Sequence, residues 1–196
     1  YGRARLTTFA STGDKDTDGT IRVALLQGNI PQDLKWDEKY RKKTLNVYRD
    51  LTYKYAQNNL DLIVWPETAA PIFFYRDKTH HQMLLDLSTD VDTPLLLGVL
   101  STTTRNRKIR LLNSAFQVTP QKKVDGRYDK IHLVPYGEFV PLKKFFPFIQ
   151  KIVSGIGDFE SGNQRTIFRH AKAPFSVLIC YEMIFANEVR RFVRDG

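Results

Sequence analysis

Three residues of reactive type each stand at the end of a strand-like stretch in this 196-residue chain: Glu67 after "LIVWP", Lys130 in "RYDKIHLVPYGEFVP", and Cys180 in "VLICYE". A thiol nucleophile needs a base to take its proton and return it to the leaving group. It also needs a donor for the oxyanion that forms when a carbonyl is attacked. Glu67 has the type for the first task and Lys130 for the second, with the backbone N–H of Tyr181 as a further donor. The flanks "WPETAAPIFF" are largely apolar, which predicts a partly desolvated Glu67 and a stronger base. Glu138 lies in the same shaped loop as Lys130 and is available to pair with it. Cys180 ends an apolar run shortly before a helix, where backbone N–H groups and a positive helix end favour thiolate.

Each residue alone also has a plainer reading. Free cysteine is among the most buried residue types, most lysines are solvated, and a loop glutamate needs no function. It is the combination that points to catalysis. The four histidines have no zinc spacing, since adjacent His80 and His81 point apart on any regular element. No metal site and no cofactor is expected.

The elements that must position these residues can be read from periodicity. "IRVALLQGN" is apolar on both faces and predicts a strand buried on both sides. A helix is expected over 37–59, with Asp37 as N-cap and Tyr40, Thr44, Tyr48, Leu51 and Tyr55 as its core stripe. "LDLIVWPE" reads as a strand stopped by Pro66, and 78–91 as a second helix. Three strands follow, "TPLLLGVLS", "RLLNSAFQVT" and "KKVDGRYDK", with a turn signal at Asp125-Gly126. "SVLIC" is expected to be the last strand and "FANEVRRFVRD" a helix. Strands alternating with helices early and pairing consecutively later predict a mixed α/β layered domain. Residues 1–19 are polar and read as a leader outside a domain over 20–196.

The net charge of +9, from 30 Lys+Arg against 21 Asp+Glu, favours anionic partners. No nucleic-acid module is visible, so nucleic acid is not an expected partner. The sequence contains no apolar run long enough to span a bilayer. "EFVPLKKFFPFIQKIV" mixes aromatic and aliphatic residues with lysines over 139–153. This arm suits either a membrane interface or a lid packed on the domain's own core.

Together the blocks "VALLQGNIPQDLKWD", "LIVWPETAAP", "YDKIHLVPYGEFVP" and "VLICYEMIF" resemble the carbon–nitrogen hydrolase (nitrilase) superfamily, and within it the apolipoprotein N-acyltransferase family. The resemblance implies a nitrilase-like α-β-β-α layered sandwich. It implies a Glu-Lys-Cys triad with Glu67 as base, Lys130 as oxyanion donor and Cys180 as nucleophile. Glu138, Tyr181 and Glu182 match residues that support the triad or position substrate. Trp36 matches a tryptophan near the substrate entrance, or is a staple at the start of the first helix. The implied reaction moves an acyl chain from a phospholipid, through a cysteine thioester, to the N-terminal amine of a diacylated apolipoprotein. The implied location is the periplasmic face of a bacterial inner membrane. That family carries flanking transmembrane helices and further strands after the cysteine. The chain therefore reads as an incomplete catalytic domain, expected to be weak or inactive alone. A soluble amidase using the same triad and a non-catalytic lipid-binding module are the competing readings.

Overall fold

A computed structural model describes residues 20–31, 38–105, 107–135, 137–138 and 159–195. Trp36, Asp37, the 1–19 leader and the 139–153 arm lie outside them. The described elements are β1 (Val23–Leu25), α1 (Glu38–Tyr55), β2 (Leu62–Val64), β3 (Ala70–Phe73), α2 (Lys78–Asp90), β4 (Leu95–Arg105), β5 (Lys108–Thr119), β6 (Lys123–Asp129) and α3 (Ala186–Asp195). A short 3-10 turn follows α1, and another spans Cys180–Ile184.

The strands form one mixed sheet in the order β1-β2-β4-β5-β6, with β3 also on β4. The β1–β2, β2–β4 and β3–β4 pairs are parallel, while β4–β5 and β5–β6 are antiparallel. This is an α/β layered architecture with an open sheet. β2 and β3 share one side of β4: β2 meets it at Leu95 and Leu96, and β3 at Val99 and Leu100. The residues joining β2 to β3 therefore run along that edge, where Pro66 and Glu67 come against Gly98.

Alternation along the strands sends Ile63, Leu95, Leu97, Val99, Phe116 and Val118 to one face, where they form a core with α1 and α2. From α1 this core takes Leu45 and Tyr48, with the buried threonines Thr44 and Thr52 beside them. Trp65 stacks on Tyr48 with ring centroids 5.1 Å apart. Its indole N–H donates to Thr52 Oγ1, so the large side chain is buried without an orphan donor. Tyr55 belongs to the expected stripe but is exposed, because the burial stripe follows Thr44, Leu45, Tyr48, Leu51 and Thr52 instead. The opposite face carries Leu62, Leu96, Ala115 and Tyr128, packed against Phe168, Ile179 and Phe192.

Several sequence expectations need correction. Among the described strands β1 lies at the sheet's edge and is not buried on both sides. Leu26 is buried just beyond it, but Val23 and Leu25 are 43% and 77% exposed. Val23 borders an open apolar cleft between the sheet and Phe175–Leu178. The run before Cys180 is extended at Ile179 (φ −100°, ψ 111°) but belongs to no strand of the described sheet. Its side chains pack on the sheet face instead of joining its edge. Asp125-Gly126 makes no turn: Gly126 pairs with Gln117, and a register shift there accommodates Asp125. The β5–β6 turn falls at Pro120–Lys122, with Lys122 left-handed at φ 57°. β3 was not foreseen, since "APIF" follows Glu67 without polar alternation.

Candidate active site

Glu67 sits in the turn between β2 and β3. Ala69 N–H donates to the Pro66 carbonyl at 3.0 Å, closing a four-residue turn with Thr68 left-handed at φ 48°. The Glu67 side chain is 31% exposed. Lys130 lies one residue past β6. Its N–H donates to the Asn113 carbonyl at 2.9 Å, and its own carbonyl accepts from Gly162 N–H at 2.8 Å. Two backbone bonds thus fix the base of a side chain that is only 1% exposed.

The Lys130 ammonium stands 3.2 Å from Glu67 Oε1, and 3.0 and 2.9 Å from Glu138 Oε1 and Oε2. Burial pulls its pKa down. The hydrogen bond to Glu138 and the charges of Glu67 and Glu138 more than offset this, holding it above the ordinary lysine range. It is therefore a cation at neutral pH. Glu138 is 13% exposed and also accepts from Val134 N–H at 2.9 Å, so the loop that supplies Glu138 is tied by its carboxylate.

One participant was missed in the sequence. Asn113, in mid-β5 and buried, uses a single amide nitrogen to donate to Glu67 Oε1 at 2.6 Å and to Glu138 Oε1 at 3.0 Å. Only its position inside an apolar strand, "RLLNSAF", could have flagged it, because a buried amide needs partners. Replacing Asn113 with Ala removes a donor shared by both carboxylates. The expected result is catalysis slower by about 10–100-fold, from loss of a charge-assisted bond at the site. A single-turnover assay checks this.

Cys180 is exposed and opens the Cys180–Ile184 turn with φ 52°. A left-handed non-glycine residue costs on the order of 1–2 kcal/mol and persists only where the surroundings impose it. A sharp turn of this kind lifts its first side chain clear of the backbone on either side. The α-helix itself starts only at Ala186.

What imposes the turn is Glu182. Its buried carboxylate (1% exposed) accepts from Tyr128 O–H at 2.7 Å, Ile131 N–H at 2.7 Å, His132 N–H at 3.1 Å and Ile179 N–H at 2.8 Å. Ile131 follows Lys130 and Ile179 precedes Cys180, so one carboxylate clamps the two segments together. Burial and the bond to Glu182 push the Tyr128 phenol well above its ordinary pKa, leaving it a neutral donor. The same segments meet again where the His132 ring stacks on Phe185 at 4.4 Å. Tyr181 stands edge-on to Phe185 at 5.1 Å. The structure thus joins Glu67, Lys130 and Glu138 by direct contact, and ties the Cys180 turn to the Lys130 segment through Glu182. Trp36 is outside the described residues.

Residues 22–196 match the carbon-nitrogen hydrolase family. The chain belongs to that family. Carbon–nitrogen hydrolase architecture is also what the solved structures share with it. A carbon–nitrogen hydrolase from Helicobacter pylori superposes with a TM-score of 0.66 at 14% identity, over 91% of this chain and 57% of that one. A nitrilase-superfamily amidase from Nesterenkonia gives 0.66 at 16%, over 94% and 64%. In sequence the chain is similar to apolipoprotein N-acyltransferases. It is 40% identical to that of Geobacter metallireducens over 177 residues, 90% of this chain and 34% of the relative. It is 36% identical to that of Methylococcus capsulatus over 181 residues, 90% and 34%. The chain spans about a third of the length of these relatives. None of its described helices is long and apolar enough to cross a membrane.

Proposed function

We propose that this carbon–nitrogen hydrolase is the catalytic part of an N-acyltransferase that moves a fatty acyl chain from a phospholipid to the N-terminal amine of a diacylglyceryl-cysteine lipoprotein. The observation that carries the reading is the buried Lys130 ammonium held between Glu67 and Glu138, in a chain 40% identical to an apolipoprotein N-acyltransferase. In the first step Glu67 takes the Cys180 S–H proton and the sulfur attacks the ester carbonyl. Lys130 faces the oxyanion. As the C–O bond breaks, Glu67 returns the proton to the leaving oxygen, giving a lysophospholipid and a thioester. In the second step the lipoprotein amine attacks the thioester and loses a proton to Glu67. The C–S bond breaks, and that proton restores the thiol. No cofactor enters either step. The domain over 20–196 with its 1–19 leader belongs, in this reading, on the periplasmic face of a bacterial inner membrane.

The test is direct. With a phospholipid carrying an isotopically labelled acyl chain, mass spectrometry should find the label on the Cys180 peptide as a hydroxylamine-sensitive thioester. Turnover with Cys180 never labelled would overturn the mechanism. Label discharged to water and never to an amine would favour the amidase reading.

A further inference from the structure

We infer that Gly98 is a positioning residue for Glu67: the missing side chain at this one point of β4 sets where the carboxylate stands. The inference rests on Glu67 being the base proposed above.

The route of the chain requires a close approach. β2 and β3 pair with successive stretches of the same edge of β4, and the Pro66–Ala69 turn between them packs against β4 at Gly98. A Cβ at Gly98 would lie 2.1 Å from the Pro66 carbonyl oxygen and 2.8 Å from the Glu67 Cα. Both are backbone atoms, so no rotamer change can relieve the clash. The turn would have to lift away from the sheet by on the order of 1 Å to restore ordinary contact.

The turn cannot lift without moving Glu67 relative to its partners. Lys130 and Asn113 are anchored separately, through β5 and the end of β6. Glu67 Oε1 now accepts at 3.2 Å from the Lys130 ammonium and at 2.6 Å from Asn113 Nδ2. A displacement of about 1 Å breaks hydrogen-bond geometry at both. Thr68, beside Glu67, shows how tightly the turn is held. It is buried, β-branched and left-handed at φ 48°, a conformation such residues adopt only when the surroundings enforce it. Gly162 plays the matching part under Lys130, since its Cβ would lie 2.1 Å from the Asp129 carbonyl oxygen.

The experiment compares wild type, Gly98→Ala, Glu67→Gln and the double variant in the full chain, after thermal melts have identified the folded proteins. Two rates are read: acylation of Cys180 by labelled phospholipid, and alkylation of Cys180 by iodoacetamide as a function of pH. Gly98→Ala should slow acylation by about 100-fold with KM within about twofold, the scale expected for a misplaced catalytic group. Its alkylation profile should move to that of Glu67→Gln. In the double variant Gly98→Ala should slow alkylation no further than Glu67→Gln alone. A folded Gly98→Ala chain acylated at the wild-type rate, or a further loss in the double variant, overturns the positioning. Glu67→Gln acylated like wild type overturns instead the base assignment beneath it. Should Gly98→Ala not fold, Thr68→Gly takes its place, since it frees the same turn without adding an atom. A loss of about 10-fold, absent in the Glu67→Gln background, is then expected, and wild-type acylation by Thr68→Gly overturns the inference.

Discussion

Replacing Lys130 with methionine should reduce the acylation of Cys180 by about 10³-fold or more and destabilise the fold by about 3–5 kcal/mol. The two losses have separate causes. The catalytic one, in the proposed mechanism, is the removal of a cation facing the developing oxyanion, whose effect is largest where water is excluded, and Lys130 is 1% exposed. The structural one comes from what is left behind. Glu67 Oε1 and Glu138 Oε1 both lie within 3.2 Å of the same ammonium nitrogen. Without it, two carboxylates face each other across a mostly buried gap with their repulsion uncompensated. Methionine keeps most of the volume, so the loss is electrostatic rather than a cavity effect. Adding Glu67→Gln to Lys130→Met should therefore recover much of the melting temperature and none of the acylation. Arginine should not substitute, because its planar fork cannot occupy a site shaped for a compact ammonium. Single-turnover acylation and thermal melts check these outcomes together. Near-wild-type acylation of Lys130→Met would remove Lys130 from the mechanism.

The second large effect is at Glu182. Glu182→Ala should cost several kcal/mol and abolish acylation, although this carboxylate is buried beneath the site, where it accepts from four protein donors. Removing it strands the Tyr128 hydroxyl and the N–H groups of Ile131, His132 and Ile179. A buried unpaired donor costs about 1–3 kcal/mol, and partial relaxation lowers the sum. The Cys180 turn also loses what holds its left-handed first residue. Glu182→Gln is the informative companion. Its amide keeps one acceptor oxygen, so bonds to one side of the clamp survive while its NH₂ faces a donor on the other. An intermediate stability is expected, with acylation falling more than stability does. If Glu182→Ala melts like wild type and is still acylated, the clamp does not hold the site together.

The sequence determined a good deal by itself. The strand ends carrying Glu67 and Lys130, both flanking helices, and the β4–β5–β6 run were legible, because apolar alternation and Pro66 are local signals. Four sequence blocks in order were enough to point to the family. Other features depended on pairing partners far along the chain. "SVLIC" has strand composition, yet no described strand takes it as a neighbour. It packs through Ile179 against the sheet face instead. The apolar "VALL" run looked doubly buried, but whether a strand lies at an edge is decided by sheet order. Asn113 stood out locally only as an amide inside an apolar strand, with nothing nearby to name its partners. Its partners Glu67 and Glu138 are 46 and 25 residues away. The tertiary structure alone decided that Glu182 turns inward to join the Lys130 and Cys180 segments, and that Gly98 lies under Glu67. Both depend on how closely separate backbones approach, and residue type and spacing carry no record of that distance.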